Sequence, residues 1–154
     1  MPYKKTNIKG LEFEKFFSGK VQAIGYLELY FPKMALRNLI VNFEGEFKKN
    51  NLILKEKYYE NEKRIIRNWK FKKISKHQFL GEEENVIGKI KVKIDDKRIY
   101  MKYKFRLKVW KINLAVTISD YMYYVNNKEI INTTYVKKFG LKLAKAILLY
   151  KKLS

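Results

Sequence analysis

Four ionisable residues interrupt runs of alternating apolar residues. Arg37 shares a parity with Leu39, Val41 and Phe43, and Glu56 with Leu52, Leu54 and Tyr58. Arg67 lies between Ile65 and Trp69 on its parity, and Asp120 between Ile118 and Met122. A charge on an apolar face is costly unless it is paired or used. An arginine enclosed by apolar walls can hold the carboxylate or phosphate of an amphipathic molecule through two parallel hydrogen bonds while the walls hold its tail. The competing reading is a pair of internal salt bridges with no ligand. Trp69 and Tyr103, with Tyr121, Tyr123 and Tyr135, either line a cavity or simply fill a core. The candidate ligand-binding set is therefore Arg37, Glu56, Arg67, Trp69, Tyr103 and Asp120.

Other chemistry has little support. The one histidine, His77, stands in a polar turn, and no cysteine exists to share a metal with it. The run Glu82, Glu83, Glu84 lacks the spacing of an oxygen-ligand loop and reads as solvated. No phosphate-cradling glycine loop and no nucleophile elbow occurs. Neither a metal nor a cofactor is predicted, and the expectation leans to a binding protein over an enzyme.

Period-two alternation positions these residues. From Val86 to Ile94 and again from Ile99 to Val109 apolar residues occupy one parity and lysine or arginine the other, with a short Asp95–Arg98 turn between. Successive strand side chains point to opposite faces, so each run has one face for a core and one for water. The turn length pairs Ile94 with Ile99, Val92 with Met101 and Ile90 with Tyr103.

The same device recurs along the chain. A helical turn at Phe13, Phe16 and Phe17 precedes a strand from Val21 to Phe31, which Pro32 ends. Strands follow over 37–47, 52–58, 65–71 and 78–81. Pairing Tyr58 with Ile65 sets Glu56 opposite Arg67, a register that follows from turn length and apolar parity. A turn or bulge over Trp110–Asn113 switches parity before the strand of Asp120. Asn126–Asn127 read as a two-residue turn, after which Ile131, Thr133 and Tyr135 carry the apolar face back. Residues 139–153 fit a helix or a strand with Leu141, Leu143, Ile147 and Leu149. Nine or ten strands joined by short turns predict an all-β antiparallel meander, and closing it into a barrel removes its exposed edges.

The 154 residues are read as one domain with a polar tail over 1–10. No apolar run approaches the roughly 20 residues of a spanning helix. A monomer in the cytoplasm is expected. The formal charge of +20 invites nucleic acid or an anionic membrane surface as a partner. Lysine outnumbers arginine 30 to 5, however, whereas phosphate forks and base readout favour arginine. A solvated lysine coat is the plainer account, and no specific nucleic-acid recognition is expected.

Residues along nearly the whole chain resemble a bacterial family, domain of unknown function 3833. They are Phe13, Phe16, Phe17 and Gly19–Gly25 at the front, then Phe43, Glu44 and Gly45 after Arg37. Leu54, Glu56, Tyr58, Arg67 and Trp69 follow, with Gly81 and Asn85–Gly88. Asp120, Met122, Tyr123, Ile131, Asn132, Lys138, Phe139 and Gly140 complete them. Arg37, Glu56, Arg67 and Asp120 fall on the family's motif positions. The resemblance implies an up-and-down lipocalin-like, calycin-type barrel and, more loosely, the handling of a lipid, a fatty acid or another amphipathic small molecule. It also selects strand over helix for the last segment. The chain departs from the family in lacking the secretion signal and anchoring cysteine of many members, in having Asn85 where aspartate is usual, and in its lysine content. Two other classes stay open: a basic protein docking through its outside, and an enzyme acting on a barrel-bound lipid.

Overall fold

A computed structural model describes residues 12–60, 62–109 and 111–154. After one helical turn, α1 (Phe13–Phe16), ten strands follow. They are β1 (Gly19–Leu29), β2 (Ala35–Lys48), β3 (Asn51–Glu60), β4 (Lys63–Ser75), β5 (Gln78–Glu82), β6 (Val86–Ile94), β7 (Arg98–Val109), β8 (Ile112–Asn126), β9 (Glu129–Lys138) and β10 (Leu141–Lys152). Each pairs antiparallel with the next, and β1 pairs with β10, so the sheet closes as a lipocalin-like up-and-down barrel. Closure satisfies every strand edge. The segment over 141–152 is strand throughout. The tail and Trp110 lie outside the described residues.

Registers inferred from turn lengths hold at Ile94↔Ile99, Val92↔Met101, Tyr58↔Ile65 and Glu56↔Arg67. The ladder between β6 and β7 then shifts between Ile87 and Lys91, so Ile90 is not in simple register with Tyr103. Gly88 accommodates that bulge with φ +80, which a side chain would resist.

Two other bulges overturn the expected facing of the last strands. The β8–β9 ladder starts at Asn126↔Glu129, leaving Asn127 and Lys128 as the turn, and shifts between Tyr124 and Asn126. Even-numbered residues of β9 therefore point inward: Ile130 and Asn132 are buried, while Ile131 is exposed. A further shift between Lys142 and Ala144 turns Ala144, Ala146, Leu148 and Tyr150 inward and Ile147 outward. A one-residue slip exchanges the two faces of a strand. Tyr135 accordingly leaves the interior and joins Tyr121 and Tyr123, which lie on the outward parity of β8, in lining a shallow dish on the outer wall with Thr133.

The two ends of the barrel differ. Turns 49–50, 76–77, 95–97 and 127–128 surround the end that α1 plugs. Phe13 meets Phe17, Phe71 and Phe79 edge-to-face at 5.2, 5.2 and 5.0 Å. Lys73 Nζ binds the buried Glu14 carboxylate at 2.5 Å and ties the turn to β4. Gly45 is required here, because a Cβ on it would stand 1.8 Å from the Phe17 carbonyl oxygen. At the opposite end no described residue fills the interior in a comparable way. Along β2, inward residues pass from buried Phe43 and Val41 through half-buried Leu39 to exposed Arg37, and β1 shows the same gradient from Ala23 to Leu29. Over the described residues the barrel is a cup, plugged at one end and open at the other.

Candidate functional site

Midway down the cup, β3, β4, β7 and β8 bring together Glu56, Trp69, Tyr103 and Asp120 on the wall of a cavity of about 80 Å³. Phe43, Leu54, Phe71, Met101 and Tyr150 supply much of the remaining lining, and Phe13 and Phe17 the floor. Tyr103 and Asp120 are each less buried than the inward neighbours on both sides of them in their own strands, so they surface into this space. Four of the six predicted residues line it. Arg67 stands beside it on β4, and Arg37 is not part of it. Arg37 keeps the inward parity but lies above the last β2–β3 pair, Val41↔Tyr58, where the wall ends, and its side chain is exposed. Its apolar parity gave the right face and could not give the depth.

Arg67 is already engaged. Its Nε and one terminal nitrogen each donate to the Tyr58 hydroxyl at 3.3 Å. Its nearest carboxylate oxygens belong to Glu83 at 3.9 Å and Glu56 at 4.0 Å, and its guanidinium lies 4.8 Å from the Phe105 ring centroid. Glu83 corrects the expectation of a solvated acidic run. Its side chain is 2 % exposed, and Asn85 holds it by donating from its amide to one carboxylate oxygen and from its backbone N–H to the other. A carboxylate role thus falls to position 83, with Asn85 as its anchor.

Asp120 sits in a second polar cluster. Asn132, buried on β9, donates its amide to Asp120 Oδ1 and to the Tyr121 carbonyl, and Thr134 Oγ1 donates to Asp120 Oδ1 at 2.8 Å. Asn132 and Thr134 went unpredicted because Ile130 and Ile131 offer both parities an isoleucine, and only the bulge decides between them.

The carboxyls are tuned by burial. Desolvation raises Glu56 from an ordinary 4.5 to about 7; Arg67 and a hydrogen bond from Trp69 oppose this, while the charges of Asp120 and Glu83 add to it. Asp120 is also raised, chiefly by burial, against the hydrogen bonds from Asn132 and Thr134. Burial, with the nearby carboxylates, pushes the Tyr103 and Tyr150 hydroxyls well above their usual range, so both are neutral phenols. The cavity therefore offers hydrogen-bond acceptors and phenols on aromatic walls, and the one guanidinium at its edge is shared among two carboxylates and a tyrosine. Among the described residues no group of three or more His, Asp or Glu is arranged to hold a metal.

A family model for a protein of unknown function, DUF3833, matches residues 2–152. No curated protein matches the sequence. Among solved structures, the S-type phycobiliprotein lyase CPES from Guillardia theta superposes with a TM-score of 0.68 at 6 % identity, over 93 % of this chain and 92 % of that one. At that identity the likeness is one of fold.

Proposed function

The chain belongs to the DUF3833 family, and from its own geometry we propose that it binds a small, mainly apolar molecule inside the cup, with a polar end that donates hydrogen bonds to Glu56 and Asp120. The observation that carries this reading is the pair of carboxyls opening onto an aromatic-walled cavity beneath a mouth that no described residue plugs. Acceptors of this kind are expensive to bury and are spared in a barrel that is only core. The occurrence of the same barrel in a protein named a phycobiliprotein lyase supports a small-molecule role. The space at the carboxyls, about 80 Å³, is smaller than the roughly 150 Å³ that admits a benzene, so the polar end sits here and the apolar bulk extends toward the mouth.

This assigns the ligand differently from a fatty acid held by Arg67. The guanidinium has Glu56, Glu83 and Tyr58 around it, and a further anion would meet two buried carboxylates. One observation favours an enzymatic reading, namely that a carboxyl poised near neutrality is what general acid–base chemistry needs.

Titration with a dansylated long-chain amine and with a dansylated long-chain carboxylic acid separates these readings, with energy transfer from Trp69 as the signal in a Trp110→Phe background, since the chain has two tryptophans. The amine is expected to bind and the acid to bind at least tenfold more weakly, with Glu56→Gln and Asp120→Asn each reducing amine affinity. Tighter binding of the acid, lost in Arg67→Met, would restore the fatty-acid reading. Binding of neither would leave the interior as core alone.

A further inference from the structure

The mouth of the cup is uneven. Three connections lie side by side on one half of its rim: β1–β2 (residues 30–34), β9–β10 (139–140) and β7–β8, because the barrel order runs β2, β1, β10, β9, β8, β7. The tips of the first two are apolar and unburied, and so is Ile112, where β8 begins. Phe139 is 91 % exposed and Met34 76 %, with Phe31, Leu36, Leu141 and Ile112 also exposed around them. Backbone bonds from Tyr30 and Phe31 to the Leu143 carbonyl, at 2.9 and 3.3 Å, fasten the first connection to β10 beside the second.

Phe139 is held at φ +50, a left-handed conformation uncommon for a bulky side chain, and the Lys138 ammonium lies 4.8 Å from its ring centroid. That turn costs backbone energy and leaves the phenylalanine in water. Lys33, Arg37, Lys111 and Lys142 stand exposed among these tips, whereas on the other half of the rim Glu60, Glu62 and Glu84 are mixed with exposed Lys63 and Arg64.

We propose that this half of the mouth docks on a lipid bilayer bearing anionic headgroups, the apolar tips entering the interface and the cations meeting lipid phosphates. Apolar side chains ringed by lysine and arginine are what interfacial binding requires, and neither set alone suffices for lasting attachment. The cup would then open toward the membrane. The proposal stands on the rim alone and holds whether or not the cavity takes a ligand.

Flotation of the full chain with phosphatidylcholine vesicles, with and without phosphatidylglycerol, tests it. Binding is expected to the anionic vesicles. Phe139→Asn with Met34→Ser should weaken it by tenfold or more, since asparagine accepts the left-handed turn and the fold is kept, as unchanged thermal melting would show. Lys111→Gln with Lys142→Gln should weaken it by roughly tenfold, whereas Lys102→Gln with Lys104→Gln, an equal loss of charge on the β7 wall, should change it less than threefold. No binding to anionic vesicles overturns the proposal, as does equal loss in the two lysine pairs. A dimer in solution that Phe139→Asn/Met34→Ser dissociates would assign the rim to a second copy of the chain instead.

Discussion

Glu56 shows how much a single position can reveal. Its place opposite Arg67 follows from a turn length and a parity, and the observed ladder keeps it. Glu83 was hidden, because a run of three glutamates is ordinarily solvated and its inward rotation depends on Asn85, two residues on, and on Arg67 from β4, distant in sequence. The raised pKa of Glu56 has a measurable consequence. Between an unfolded value near 4.5 and a folded value of about 7, the native state holds a proton that the unfolded chain has released. Stability from this group is therefore complete below pH 4.5 and is lost as pH rises through 7, in all about 3 kcal/mol. Glu56→Gln cannot titrate, so its melting temperature relative to the wild type should climb by several degrees across that window and then level off. A constant offset between the two proteins from pH 4 to 8 would show that Glu56 ionises normally.

At the scale of elements, strands and their turns were legible and bulges were not. Alternation over 89–108 is strict enough to give β6 and β7 and their register beside the turn, because most apolar residues there are flanked by lysine or arginine, whereas the shift at Gly88 lies outside that pattern. In β9 and β10 both parities carry isoleucine or leucine, so the local pattern is silent and the bulges beside Tyr124 and Lys142 choose the face. The helical turn was legible from Phe13, Phe16 and Phe17, but its use as a plug was not. That use predicts an asymmetric response. Phe13→Ala removes a ring that is 1 % exposed and packed on three other rings, and should cost about 3–5 kcal/mol. Phe139→Asn, at the other end, should change stability by less than about 0.5 kcal/mol. Urea unfolding of both variants checks this; equal losses would mean that the two ends are not plug and mouth.

For the whole molecule, the charge of +20 is distributed by strand. Lys70 and Lys72 on β4, Lys91 and Lys93 on β6, and Lys102 and Lys104 on β7 all point outward and are exposed. The outer wall of β10, β1 and β2 instead presents Ile147, Ile24, Tyr26 and Ile40. In sequence the lysines look evenly spread, because alternation places them regularly along each strand; closure of the barrel sets those of β4, β6 and β7 on one continuous wall, while others, such as Lys20 and Lys151, stand elsewhere. Lys91 and Lys102 even face each other across a ladder, a like-charge pair that costs stability in the absence of a counterion. Such a wall attracts polyanions without reading them, since it has lysine ammonium groups in place of planar guanidinium forks and presents no element shaped for a groove. Nucleic-acid binding, measured by fluorescence anisotropy, should accordingly be equal for duplexes of unrelated sequence. With about six lysines engaged it should fall roughly a thousandfold between 50 and 200 mM salt, and Lys102→Glu with Lys104→Glu should flatten that dependence. A complex that prefers one sequence and survives at the higher salt would show instead that this wall recognises its partner by contacts other than charge.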